Sequence, residues 1–144
     1  MNIRSVNPDD FPAWLSLWDA NNLGHKNEAV TTQTWIRLND PDAPVNALVV
    51  EHQGELIGLL QYVLHPTTGS VEDVCYMQDV YVHEAHRGKG IGKTMIAALE
   101  QQAHQEKWAR IYWLAETKNE AAQALYKNLG HKLDFTLHIL PTQS

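Results

Sequence analysis

Apolar residues recur along the chain with the spacing of helices in some stretches and cluster as strands in others. Phe11, Trp14, Leu15 and Trp18 form an i, i+3, i+4, i+7 stripe behind the polar residues 7–10, which predicts a first helix. The same patterns predict helices over 31–38, 90–105 and 119–129 (closed by Gly130), strands over 2–6, 47–52, 55–64, 72–82 and 110–115, and one or two closing strands in 131–140.

The order of these elements predicts a class of fold. A strand and two helices are followed by three strands and then by alternating helix and strand, which is the order of a mixed α/β sheet. Gln53 and Gly54 lie between two predicted strands and indicate a hairpin. Trp14, Trp18 and Trp35 lie on the first two helices at helical spacing, and we expect them in the core.

Composition narrows the class of protein. The 144 residues suit a single domain, 1–144, and 44% hydrophobic residues exclude a mainly disordered chain. No apolar run approaches the ~18 residues that span a bilayer, and residues 1–4 lack the layout of a secretory signal. The lone Cys75 cannot form an internal disulfide, which agrees with a cytoplasmic location. A net charge of −6 argues against nucleic-acid or anionic-membrane partners.

A glycine-rich turn, RGKGIGKT at 87–94, is the strongest candidate for chemistry. It lies between the predicted strand 72–82 and the predicted helix 90–105. Its glycines let the backbone approach an anion closely, and the helix behind them directs free N–H groups and the positive end of its dipole toward that anion. The turn is therefore predicted to bind a phosphate or a pyrophosphate.

Two familiar phosphate-binding motifs do not fit this turn. A P-loop needs a glycine at position 87, where the chain has Arg87. A dinucleotide-binding G-x-G-x-x-G that starts at Gly88 needs a small residue at position 93, where the chain has Lys93. The turn also follows several predicted strands and does not open a βαβ repeat.

A third pattern fits the turn and a later helix together. Arg87-x-x-Gly90-x-Gly92 follows a strand that ends in V-x-V, and the segment NEAAQALYKNLG at 119–130 carries an Asn and, seven positions on, a Tyr. The stretch from about residue 54 to residue 130 resembles the GNAT superfamily of acyl-CoA-dependent N-acetyltransferases. Within it, the sequences of segments 76–82 and 111–114 are similar to the Hpa2-like branch of that superfamily. The resemblance implies a mixed, mostly antiparallel central sheet of about six to seven strands flanked by about four helices.

The resemblance implies that acetyl-CoA is the co-substrate. Backbone N–H groups of the turn would bind the pyrophosphate, Arg87 would add charge or brace the loop, and the pantetheine arm would lie beside strand 76–82 with a backbone N–H near Val80 facing the thioester oxygen. The residues assigned to acetyl-CoA are Val80, Tyr81, Val82, Arg87, Gly88, Lys89, Gly90, Ile91, Gly92, Lys93, Asn119 and Tyr126.

The catalytic groups follow from the same resemblance and leave the base open. Tyr126 is the expected general acid for the thiolate, although it could be a core tyrosine, with Asn119 only an N-cap. Relatives that acetylate polyamines carry Glu-Asp where this chain has Gln78-Asp79, and an amide cannot accept a proton. Asp79, Glu116 or water therefore remain candidates for the base, and a less basic substrate is also compatible with the sequence.

The acceptor is not identified by the sequence. Gln78, Asp79 and Glu28 are the expected acceptor-binding residues, and the acidic balance favours a small cationic amine, such as a polyamine, over a protein lysine or N-terminus. Transfer would be direct, since no residue resembles an activated nucleophile. No metal is expected, because the spacing of His83 and His86 is loose for a ligand pair. A non-catalytic CoA-binding regulatory module is the alternative, and the resemblance also allows a homodimer.

Overall fold

Four helices and five strands make up the fold of residues 1–143, which the computed structural model describes. The strands are β1 (Asn2–Ser5), β2 (Val45–His52), β3 (Glu55–His65), β4 (Val74–Val82) and β5 (Ile111–Tyr112), and the helices are α1 (Phe11–Asn21), α2 (Glu28–Leu38), α3 (Ile91–Glu106) and α4 (Glu120–Tyr126). Two compact units are present: Met1–Leu114, which contains the sheet and α1 to α3, and a smaller unit that begins at Ala115 and contains α4.

Local chemistry explains where these elements begin and turn. Asn7 caps a short 3-10 turn ahead of α1 in a capping box with Asp10, and the side chain of Asn27 accepts a hydrogen bond from the Val30 amide at the start of α2. Gln53 and Gly54 have φ values of 51° and 80°, the positive pair that a type I′ hairpin requires. The predicted hairpin is therefore confirmed.

The sheet follows chain order, β1-β2-β3-β4-β5, and is antiparallel except for the parallel pair β4 and β5. This confirms the predicted mixed, mostly antiparallel sheet and the predicted four helices. The sheet has five strands among residues 1–143, so the prediction of six to seven strands is wrong.

The missing strands have a physical explanation. Residues 131–140 alternate polar and apolar side chains, but within the part of the chain that the structure describes they form no ladder, and Phe135 is 85% exposed. The predicted strand 110–115 is reduced to β5, which pairs with β4 at only two positions. Alternation describes a side-chain pattern, whereas a strand exists only where a neighbour supplies hydrogen bonds.

Both faces of the sheet are covered in the first unit. On one face, Trp14 and Leu17 of α1 are buried against Ala47, Val49 and Leu59 of the sheet. The Trp14 ring lies 5.4 Å from the Trp18 ring and 4.7 Å from the Trp35 ring, so the three tryptophans pack as the core residues that the sequence predicted.

The opposite face carries α3. Its Met95 and Leu99 are fully buried. Gly58 of β3 lies beneath Met95, where an added Cβ would come within 3.3 Å of the Met95 sulfur. The absence of a side chain at Gly58 therefore lets α3 approach the sheet closely.

Arg4 joins three segments of the first unit. Its guanidinium binds Asp10 through two hydrogen bonds of 2.8 and 2.9 Å and also binds Glu51 of β2 at 2.8 Å. The hydrogen bonds from Arg4 hold the pKa of Asp10 below its usual value. Because Asp10 is only 8% exposed, water stabilises its carboxylate little, and the charge-assisted hydrogen bonds from Arg4 take the place of water.

We expect Arg4→Met to lower the free energy of unfolding at neutral pH by about 1–3 kcal/mol, since it leaves the Asp10 carboxylate without its guanidinium. A depressed folded-state pKa stabilises the fold above the unfolded pKa of Asp and ceases to do so as pH falls through the folded value. Wild-type stability should therefore fall below about pH 4 more steeply than that of the variant. Urea unfolding at several pH values measures how the free energy of unfolding changes with pH in the wild type and in the variant. Arg37→Met, at an exposed position, is the control and should change stability by less than about 0.5 kcal/mol.

Candidate active site

An extra residue in β4 shapes the centre of the site. Gln61 of β3 pairs with Asp79, but the next residue of β3, Tyr62, pairs with Met77, so Gln78 has no partner on β3. Such a bulge bends the strand and redirects the side chains around it. The Gln78 side chain is exposed, and the Asp79 side chain is half-buried.

One edge of β4 is open beyond the bulge. β4 pairs with β5 only at Cys75 and Tyr76, and among residues 1–143 no strand pairs with that edge over residues 77–82. Val80, Tyr81 and Val82, assigned to the pantetheine arm from the sequence, lie on this stretch. An unpaired strand edge presents N–H and C=O groups with which an extended ligand can form hydrogen bonds.

The glycine-rich turn follows β4 and leads into α3. Gly88 and Gly90 have φ values of +79° and +78°, and a Cβ added to either would meet nothing within 4 Å. The helical ladder begins with the Thr94 amide, which donates to the Gly90 carbonyl at 3.0 Å. The amides of residues 91–93 therefore have no intrahelical acceptor, and they lie beside the exposed side chains of Lys89 and Lys93. This arrangement suits an anion.

Arg87 braces the turn against the end of β4. Its Nε donates to the Val82 carbonyl at 3.0 Å, and its guanidinium carbon lies 5.3 Å from the centre of the Tyr81 ring. Of the two roles that the sequence left open for Arg87, the contacts in the structure are those of a brace. These contacts tie the position of the turn to the position of β4.

Asp79 is held by a chain of side-chain hydrogen bonds. Its Oδ2 accepts from Gln61 Nε2 at 2.9 Å, and its Oδ1 accepts from Asn21 Nδ2 at 3.1 Å. The other end of the Gln61 amide, Oε1, accepts from the Trp14 indole N–H at 2.9 Å. Residues of α1, β3 and β4 thus converge on a single carboxylate.

Sequence reasoning missed Gln61 and Asn21. Gln61 did leave a signal, because it is the polar residue in the middle of the apolar run 59–63 on a predicted strand. A lone polar residue in such a run is buried and must be hydrogen-bonded. Asn21 left none, since it is one of two adjacent asparagines at the end of a helix.

A group of aromatic side chains includes Tyr76, two residues before the bulge at Gln78. The Tyr76 and Tyr112 rings stack with their centroids 5.1 Å apart, and His65 Nε2 lies 2.6 Å from the Tyr112 hydroxyl. The pKa of Tyr76 is raised, first by burial and then by the charge of Asp79. Tyr76 is therefore close enough to Asp79 to respond to its carboxylate.

The remaining catalytic candidates belong to the second unit. Asn119 caps α4 by accepting from the Ala122 amide at 3.0 Å, and the Glu116 carbonyl accepts from the Gln123 side chain at 3.0 Å. Tyr126 is the last residue of α4, and burial raises its pKa, which keeps the phenol protonated at neutral pH. The structure thus places Glu116, Asn119 and Tyr126 together on the smaller unit, and Asp79 in the network of the larger one.

Other predicted residues fall outside these contacts. Glu28 is the exposed first residue of α2 and takes no part in the Asp79 network. Cys75 is a buried strand residue, as predicted, and burial raises the pKa of its thiol to about 12. The described residues contain no group of three or more His, Cys, Asp or Glu placed to hold a metal ion. None of their helices is both long and apolar enough to cross a membrane.

Comparison with known proteins agrees with this geometry. The sequence model of the acetyltransferase (GNAT) family matches residues 9–131. The chain is 33% identical to the D-amino-acid N-acetyltransferase HPA3 of Saccharomyces cerevisiae, over 94% of this chain and 88% of that protein. It is 27% identical to the spermine/spermidine N(1)-acetyltransferase of Bacillus subtilis, over 93% of this chain and 89% of that protein.

Solved structures share the fold. The aminoglycoside acetyltransferase AAC(6')-Iy, in complex with a bisubstrate analogue, matches with a TM-score of 0.84 at 16% identity, over 99% of this chain and 98% of that chain. A ribosomal-protein-alanine N-acetyltransferase from Brucella melitensis matches with a TM-score of 0.83 at 20% identity, over 98% of this chain and 99% of that chain. At these identities the likeness concerns the fold alone.

We expect Gly90→Ala to destabilise the protein by about 1–2 kcal/mol, because a side chain strains a residue with positive φ. The turn must then shift, and CoA binding should weaken by about tenfold as its amides move. Gly69→Ala is the matched control, since its φ lies outside the left-handed region and an added Cβ meets nothing closer than 3.9 Å. Thermal unfolding and calorimetric CoA titration measure both effects, and equal behaviour of the two variants would contradict the expected role of the turn.

Proposed function

The chain belongs to the acetyltransferase (GNAT) family of acyl-CoA-dependent N-acetyltransferases, and from that premise we propose that its acceptor is a small, cationic primary amine. Acetyl-CoA supplies the acetyl group as a thioester when bound. The observation that carries the proposed acceptor is the Asp79 carboxylate, which neutral side chains hold beside the open edge of β4. A carboxylate with only neutral protein partners retains its charge for a cationic ligand.

The residues of the first unit fit acetyl-CoA. The glycine turn offers open backbone amides and two exposed lysines to a pyrophosphate, and the free edge of β4 offers hydrogen bonds to an extended arm. Val80 to Val82 and the segment 87–93 would hold the co-substrate, and a backbone N–H near Val80 would face the thioester oxygen. Asn119 and Tyr126 complete this proposed set.

Two further observations support a small amine as the acceptor. Tyr76 lies near enough to Asp79 for the charge of the carboxylate to raise its pKa, and aromatic rings attract cations. Two relatives are named for small amines, one for D-amino acids and one for spermine and spermidine. With Asp79, these features favour a small cationic amine, such as a polyamine, over a protein lysine or N-terminus.

The proposed reaction needs two proton transfers. An alkyl ammonium must lose a proton before it attacks, and Asp79, directly or through water, is the proposed acceptor of that proton, with Glu116 as the alternative. Gln78 cannot serve, because its side chain is an amide. Tyr126 is the proposed donor to the departing thiolate, and its phenol carries the proton at neutral pH. No nucleophile intervenes, so the transfer is direct.

We expect thiol release when the protein is mixed with acetyl-CoA and a panel of amines. Spermidine and other small cationic amines should give higher kcat/KM than a lysine peptide, because Asp79 and the net charge of −6 attract small molecules that carry several positive charges. Tight CoA binding without turnover of any amine would contradict the proposal and favour a non-catalytic CoA-binding module. A lysine peptide as the best substrate would contradict only the proposed acceptor.

We expect Tyr126→Phe to lower kcat by about 100-fold, because the phenol proton is lost, and to change the KM for acetyl-CoA by less than about threefold. Steady-state kinetics measure the two parameters separately. Tyr62→Phe is the control, since it removes a hydroxyl whose partner is Gln102 of α3 and should leave kcat close to wild type. An unchanged kcat in Tyr126→Phe would remove Tyr126 as the acid.

A further inference from the structure

We propose that Gln61 is a positioning residue for the amine acceptor: fixed by Trp14, it holds the Asp79 carboxylate in the orientation that receives the acceptor's ammonium group. This inference rests on the proposed function, because it assigns Asp79 to the acceptor. It concerns residues of β3 and α1 that carry no charge and lie beneath the carboxylate.

Trp14 determines which atoms donate and which accept along the hydrogen-bond chain. An indole N–H can only donate, so the atom of the Gln61 amide that faces it must be the oxygen, Oε1. The amide nitrogen Nε2 must then face Asp79, and it lies 2.9 Å from Oδ2. The tryptophan therefore determines that Gln61 presents a donor to Asp79.

Burial makes this arrangement rigid. Trp14 is 0% exposed and Gln61 is 4% exposed, so neither has water as a substitute partner. Gln61 also pairs directly across the sheet with Asp79, at the last position before the bulge. Turning the amide over would set two donors against each other at Trp14, which costs at least a hydrogen bond.

The orientation of Asp79 follows from its two donors. Gln61 of β3 holds Oδ2, and Asn21 of α1 holds Oδ1. A carboxylate oxygen has two acceptor sites, so one site on each oxygen remains for a ligand. Both donors are neutral, so neither cancels the charge that attracts an ammonium group.

Three side chains are seen to interact with Asp79, and Tyr76 is the one among them that titrates. Tyr76, on the same strand, interacts with its charge, whereas Gln61 of β3 and Asn21 of α1 carry no titrating proton. Tyrosine titrates near pH ~10, well above neutral pH. A second carboxyl placed at position 61 would therefore produce a distinct ionisation.

Gln61→Glu tests the proposal. The new side chain keeps an oxygen for Trp14 but sets a carboxyl against Asp79, and two carboxyls at hydrogen-bond distance share one proton. As pH rises through about 5 to 8, the pair should lose that proton and gain a second negative charge. The quantity to follow is the KM of the variant for spermidine divided by the wild-type KM at the same pH. This ratio should fall as pH rises, by at most about tenfold per pH unit because one proton is involved.

Gln102→Glu is the matched control. Gln102 is a half-buried glutamine of α3, bonded to Tyr62 at 3.5 Å, so the variant introduces the same charge without facing Asp79. Its KM ratio should stay flat with pH. A flat ratio in Gln61→Glu as well would overturn the proposal, since a merely structural glutamine would change stability without adding an ionisation to acceptor binding.

Equilibrium binding separates this inference from the proposed function. Spermidine is titrated calorimetrically into each protein with CoA bound, at the same series of pH values. If no amine is acetylated but the Kd of Gln61→Glu shows the added ionisation, catalysis fails and the positioning role stands. If acetylation occurs but neither the KM nor the Kd of Gln61→Glu shows the added ionisation, the positioning role fails.

A second variant applies if Gln61→Glu does not fold. Gln61→Met keeps the length of the side chain and removes the donor to Asp79. The KM for spermidine should rise by about tenfold, whereas the KM for acetyl-CoA should stay within about twofold of wild type. An unchanged KM for spermidine would overturn the proposal.

Discussion

The buried indole N–H of Trp14 is the constraint on which the centre of the molecule depends. A fully buried donor must find an acceptor, and in this fold the acceptor is the side chain of Gln61 on a central strand. The same indole ring packs against Trp18, Trp35 and the sheet. One residue thus anchors α1 to the sheet and also gives the polar network its direction.

A second constraint, at the other end of β4, comes from backbone conformation. Two glycines with positive φ turn the chain sharply into α3, and Arg87 ties that turn back to the last residues of β4. The bulge at Gln78 lies on the same strand, only a few residues earlier. The glycine turn, for which we propose anion binding, and the Asp79 carboxylate are therefore both supported by β4, and the distance between them is set by the length of that strand.

Local chemistry let the sequence predict much of this fold. The tryptophan stripe, the Gln53-Gly54 hairpin and the helix behind the glycine turn all follow from residue spacing and capping. The prediction of closing strands in 131–140 was wrong, because an alternation of polar and apolar residues does not reveal whether a neighbouring strand will pair with them. The Asp79 network escaped prediction for a related reason: Trp14, Gln61 and Asp79 are far apart in sequence. The sheet register brings Gln61 to Asp79, and the packing of α1 against the sheet brings Trp14 to Gln61.

Cys75 has a practical consequence for the study of this enzyme. It is the chain's single cysteine, it is buried in β4, and burial raises its pKa to about 12, so almost none of it is thiolate at neutral pH. A thiol-reactive dye that detects released CoA will therefore react little with the folded protein itself. Under the same conditions, the rate at which Cys75 is slowly labelled measures how often the sheet opens locally, and no additional cysteine has to be introduced as a reporter.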